Sequence, residues 1–226
     1  DGIDLATYCL MLADDALIAA QRLAQWCAHA PELEEEMALA NIGLDLLGQT
    51  RLLLSRAAAA DRAIVPGLPQ GSPVPDEDAL AFFRDEPRFR CIRLVELPNG
   101  DFAHSIVRLL VFAAYRLAVF AALRGSRDPV LAAVASKGVK ELTYHRDYAA
   151  RWFITLALGT DESHRRLTEA ISDVWPYVDE LFTPNQIEQR LATAAVAADS
   201  ATLRGEFDGV VKQILRAAEL DVPTVR

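Results

Sequence analysis

Residues 34–56, EEEMALANIGLDLLGQTRLLLSR, constrain this chain more than any other stretch. They contain no proline, and Gly43 and Gly48 each cost a helix only about 1 kcal/mol relative to alanine. The length suits a helix of roughly six turns. Met37, Leu39, Ile42, Leu44, Leu46, Leu47, Leu52 and Leu53 cover most of its circumference. A helix that is apolar nearly all round is expected to be buried nearly all round, which makes this the expected innermost helix of a bundle. Asn41, Asp45 and Gln49 nevertheless recur at i, i+4 and i+8 and line one face. A carboxylate at the centre of a buried stripe needs partners, so the functional question is what faces Asp45.

The other elements follow from local signals. Residues 5–28 show helical spacing, with Asp14 and Asp15 near the middle. Pro31 closes a short connection, so this helix and the next are expected to be antiparallel neighbours. Pro66, Gly67, Pro69, Gly71, Pro73 and Pro75 mark a loop. Asp76 is the expected cap of a short helix over 77–84, and 88–96 suggest another. Pro98-Asn99-Gly100 is a turn signal. Residues 101–124 form a third long, strongly apolar helix, in which His104, Arg108 and Arg116 leave uncharged runs too short for a bilayer. Asp128-Pro129 reads as N-cap and first turn of a fourth long helix ending near Leu158, with Gly159 beyond it. Residues 161–182 are expected to be helical with a bend at Pro176. Thr183-Pro184 is expected to open a helix reaching about residue 198, and 200–220 form the last.

No stretch alternates with the period of a strand. The expected architecture is all-α: a ferritin-like four-helix bundle over about 5–160, with additional C-terminal helices over about 161–220, in one domain spanning 1–226. A chain of 226 residues is long enough for one such core. A net charge of −9 argues against nucleic acid as a partner. Cys9, Cys27 and Cys91 have neither disulfide nor zinc spacing and suit a reducing cytoplasm; each reads as a small core residue.

A ferritin-like bundle raises the question of a dinuclear metal site, which takes a Glu from each of two helices and Glu-x-x-His from each of the other two. No Glu-x-x-His occurs in the chain. The first helix offers Asp14 or Asp15. The second offers Asp45, with Gly48 three residues on. The third has no acid between Asp101 and Gly125. The fourth offers Glu141, followed by Tyr144 and His145. Asp101-x-x-His104 and Asp161-x-x-His164 have ligand spacing but lie at helix starts, where a capping acid and an exposed histidine are expected. An intact dinuclear site and a single-metal site at Glu141 and His145 are the two minor alternatives. The expectation is therefore a vestigial network at ligand level, with no metal or cofactor in this chain: Asp15, Asp45, Arg108 or Lys137, Glu141, Tyr144 and His145. Gly-x-Ser-x-Gly, P-loop and dinucleotide fingerprints are absent.

The segments ADDALIAAQRLAQWCAHAPELEEEMALANIGLDLLGQTRLLL, DEDALAFFRDE, VELPNGDFAHSIVRLL, KELTYH and DESHRRL followed by WPYVDELF resemble the structural C-type subunits (PaaC type) of the bacterial multicomponent phenylacetyl-CoA epoxidase. The resemblance covers about residues 10–182. It implies a non-catalytic scaffolding subunit in aerobic phenylacetate breakdown. That subunit would pair with a homologous A-type subunit in which the di-iron centre resides, alongside a small B-type subunit and a reductase holding FAD and iron–sulfur. It also implies a cytoplasmic, membrane-free setting, with self-association when isolated. The rivals are a self-sufficient di-iron oxygenase or ferroxidase, and a free-standing helical binding or storage module.

Overall fold

The computed structural model describes residues 2–223. Among them the structure is helical and loop only. Its elements are α1 (Gly2–Ala24), α2 (Leu33–Ala60), α3 (Asp76–Phe82), α4 (Arg93–Glu96), α5 (Phe102–Leu123), α6 (Pro129–Leu158), α7 (Asp161–Val174), α8 (Gln186–Thr193) and α9 (Arg204–Ala217). Helices α1 and α2 pack along their lengths as one pair, and α5 and α6 as the other. The proline-rich connection with α3 and α4 crosses between the pairs. This is the wiring of a ferritin-like bundle.

Caps fix the long helices. The Asp101 carboxylate accepts from the His104 backbone N–H at 3.0 Å and starts α5. Asp128 accepts from the backbone N–H groups of Val130 and Leu131, and Pro129 follows at the first helical position. Asp128 does a second job. Its carboxylate pairs with Arg56 at 2.6 Å, tying the end of α2 to the start of α6.

Several expected starts lie elsewhere. Pro75, not Asp76, occupies the cap position of α3. Thr160, not Asp161, caps α7, in a reciprocal pair with Ser163. Asn185, not Thr183, caps α8, with Glu188 returning the bond to its backbone N–H. In the last two cases a side chain that reaches the third residue of the helix wins over its neighbour, as capping geometry requires. The segment after Val174 tightens into 3-10 turns at Trp175–Tyr177 and Asp179–Phe182 around Pro176.

The innermost helix is α5, not α2. Helices α6, α7 and α9 all pack against α5, and its most apolar window is 83% buried. By length and composition α5 could cross a membrane; here it is the helix around which the core is assembled. Helix α2 instead leaves Leu33, Met37, Leu44 and Leu47 exposed. The C-terminal helices close over α5 and leave that outer face open. Apolar circumference alone cannot distinguish a helix covered by its own chain from one that presents a row of leucines. Cys9 is buried, Cys91 half-buried and Cys27 exposed, so only the first is a core residue.

Candidate functional site

The polar stripe of α2 runs from the surface into the core: Asn41 is exposed, Asp45 half-buried and Gln49 buried. Its partners stand on α6, antiparallel across the seam. Glu35, near the start of α2, accepts from the Tyr148 hydroxyl and from Trp152 Nε1. Asp45 Oδ2 lies 3.0 Å from His145 Nε2. Gln49 donates from Nε2 to Glu141 at 2.9 Å. The partners at 141, 145, 148 and 152 share one helical face, and the seam is a ladder of side-chain hydrogen bonds.

The deepest rung continues to α5. Arg116 Nε donates to Gln49 Oε1 at 3.0 Å, and Nη1 donates to the Leu12 carbonyl of α1 at 3.0 Å. The guanidinium stacks over the Phe120 ring, 4.5 Å from its centroid. Gly138 makes room, since a Cβ there would lie 2.6 Å from that same ring. Among the described residues Arg116 Nη2 is buried without a partner. Burial lowers the Arg116 pKa to about 10, opposed by Asp15, Tyr115 and Tyr8, so the group stays cationic at neutral pH. A cation thus sits at the centre of the bundle and reaches Glu141 through Gln49.

Burial also depresses the His145 pKa, against the raising effects of Asp45 and Glu141. The imidazole is neutral at pH 7 and donates its Nε2 proton to the Asp45 carboxylate.

The acids of α1 turn away from this seam toward the crossing segment. Asp14, fully buried, receives both Nη groups of Arg84 and the Arg90 backbone N–H. Asp15 accepts from the Ile92 backbone N–H at 2.9 Å. Burial raises the Asp15 carboxyl to about 7, with the Ile92 bond and Arg116 pulling the other way.

The structure therefore brings together Asp45, Glu141 and His145, and leaves three of the expected members outside their hydrogen bonds. Arg108 lies nearer the N-terminal end of α5 and donates to the carbonyls of Leu97 and Pro98 and to the Asn99 side chain, clamping the turn before α5. Tyr144 is exposed and touches His145 and Tyr148 only by its ring. Asp15 bonds the crossing segment. Lys137 approaches Glu141 at 3.3 Å, but its side chain is mostly in solvent, so it decorates the network from outside. Members that spacing does not reveal are Arg116, Gln49 as the bridge, and Glu35. At bundle ends, His104 joins Asp101 to Asp173, and exposed His164 bonds the Ala157 carbonyl.

A dinuclear centre needs about six inward ligands. Among the described residues no three His, Cys, Asp or Glu side chains are grouped to hold a metal ion. The donor set at this level, with a guanidinium between α1 and α2, does not fit such a centre.

Fold and site together define a ferritin-like bundle whose ligand level is spanned by hydrogen bonds and a buried cation. The chain belongs to the phenylacetic acid catabolic protein family, whose pattern it matches over residues 3–226. It is 44% identical over 219 residues, covering 97% of this chain and 84% of the relative, to the C-type subunit of the 1,2-phenylacetyl-CoA epoxidase of Escherichia coli (strain K12).

Proposed function

We propose that this chain is the structural, non-catalytic subunit of a multicomponent phenylacetyl-CoA epoxidase in aerobic phenylacetate catabolism. Its role is to hold a homologous catalytic bundle in a working assembly. The observation that carries this reading is the Arg116 guanidinium at ligand level, bonded through Gln49 to Glu141. A positive charge in that position repels a metal cation, and the remaining carboxylates are engaged by protein donors. The redox chemistry is then supplied elsewhere, by a di-iron centre in the partner subunit and by FAD and iron–sulfur in a reductase. The similarity to a relative that is named as an epoxidase subunit supports the same assignment.

The exposed row Leu33, Met37, Leu44 and Leu47 on α2 supports a protein partner. An apolar helix face of this kind is more favourable when covered, as obligate interfaces resemble a core cut in half. We assign the homologous catalytic subunit to the assembly, with a small B-type subunit and the reductase as further members, in the cytoplasm.

The test is turnover of phenylacetyl-CoA by the purified chain, with Fe(II), oxygen and a reductant, alone and together with the homologous catalytic subunit. No epoxide from the chain alone and product with both subunits is the expected pattern. Product from the chain alone would establish the rival, a self-sufficient oxygenase.

A further inference from the structure

A cavity of about 450 Å³ lies between α1, the crossing segment at 89–92, the turn Asp179–Phe182 and the start of α8. It is separate from the α2–α6 seam. Its walls include Met11, Leu12, Phe89, Ile92 and Leu181, and its polar groups include Asp15, Glu180, Glu188, Tyr8 and Tyr115.

Four of these groups have unused hydrogen-bonding capacity. Asp15 is buried, at 5% exposure, and its bond to the Ile92 backbone uses only Oδ1. Glu188 spends Oε2 on the Asn185 backbone N–H. Tyr115 is 8% exposed, and its hydroxyl makes no hydrogen bond among the described residues. That hydroxyl lies within electrostatic reach of Asp15, Glu188 and Tyr8, all of which line the same cavity. The ring is buried while the hydroxyl opens onto the cavity, so a ligand there can take its hydrogen bond in place of water. The Tyr8 hydroxyl accepts from the Ala198 backbone N–H at 3.4 Å and keeps its own proton free.

The chemistry of a matching ligand follows from charge and geometry. Three carboxyls, Asp15, Glu180 and Glu188, line a space whose lining cation, Arg90, is exposed at its edge. The walls are aliphatic and aromatic. A multivalent metal is a poor match, because among the described residues no three acidic, His or Cys groups converge. A primary ammonium has three donors, which match the oxygens of Asp15, Glu188 and Tyr115, and aromatic faces favour a cation. We propose that this cavity is a binding site for a small primary alkylammonium ion, with Asp15 as its anchoring carboxylate and Tyr115 as a positioning hydroxyl. The site stands on its own geometry and does not depend on the role proposed for the α2–α6 seam.

The test is calorimetric titration of the full chain with n-butylammonium, with n-butanol as the neutral isostere. Saturable binding of one ammonium per chain is expected, with no saturable binding of the alcohol. Asp15→Asn should weaken the ammonium at least tenfold. Tyr115→Phe should weaken it several-fold, while Glu169→Gln, on the exposed face of α7, should bind as wild type. Thermal unfolding of each variant verifies that it is folded. Wild-type chain that shows no saturable ammonium uptake, equal affinity in folded Asp15→Asn, or equal binding of the alcohol would overturn the proposal.

Discussion

Arg84 and Arg116 are both buried in this bundle, and their charges are met in different ways. Arg84 lies just beyond the end of α3 and is matched directly: both Nη groups meet Asp14, and Nε meets the Leu80 carbonyl. Arg116 comes from the middle of α5 and meets no carboxylate directly among the described residues. It is held by an amide, a carbonyl and a ring, and one nitrogen is left over. The first arrangement is a fastener. It pins the crossing segment to α1 and depends on a one-to-one charge match. The second fills the centre of the bundle with a cation whose balancing carboxylate is one residue removed. A buried pair is most costly to break when one charge is stranded. The Arg84 contact should therefore matter more for stability, although Arg116 lies at the more central position.

Substitution at each arginine separates the two arrangements. Arg84→Met leaves Asp14 buried without its cation and should lose about 3–5 kcal/mol of unfolding free energy in urea. Asp15, beside the Arg84 pair and electrostatically coupled to Arg116, should give the next largest effect, seen as pH dependence. Its folded pKa is raised from 3.8 to about 7. Its contribution to stability is therefore fully present below 3.8 and lost as pH rises through about 7. Wild type should fall by a few kcal/mol relative to Asp15→Asn across that window, and parallel pH profiles would refute it. His145 has the opposite sign, since its depressed folded value makes stability decline as pH falls below its ordinary 6.5.

Arg116→Met removes a charge without directly stranding a carboxylate, so about 1–3 kcal/mol is expected from the lost partners of Gln49 and Leu12. A loss equal to that of Arg84→Met would erase the difference between the two arginines. The smallest effect on the isolated chain should come from Leu44→Lys with Leu47→Lys. These side chains are exposed, and the pair should change stability by only about 0.5 kcal/mol while weakening capture of the proposed partner, a homologous catalytic subunit, at least tenfold. Undiminished capture would move the interface away from α2.

Much of the fold is legible in the sequence because its signals are local. Asp128-Pro129 and Gly159 bracket α6, and Asp101 starts α5, as the sequence predicts. Asp45, Glu141 and His145 are also legible, because helical spacing puts each on an inward face. The choice of cation is not. Arg108 and Arg116 lie two turns apart on one apolar helix, and spacing gives no depth along the bundle. Only packing shows that Arg108 meets the turn at 97–99 while Arg116 meets Gln49. The depth of α2 is hidden for a related reason: an apolar row reads the same whether its cover is α7 and α9 or a separate chain. Asp14 and Asp15 look equivalent in sequence, yet the crossing segment gives one an arginine and the other a single backbone N–H.

If Arg116, Gln49 and Glu141 hold the middle of this bundle in place of metal, the chain should refuse iron. The decisive quantity is iron content per chain after anaerobic Fe(II) loading and desalting, followed by the optical spectrum on admitting oxygen. Near-zero iron and no oxo-bridge absorption are predicted. About two irons per chain, with that absorption, would contradict the substitution of cation for metal and make this chain an oxygen-activating enzyme in its own right.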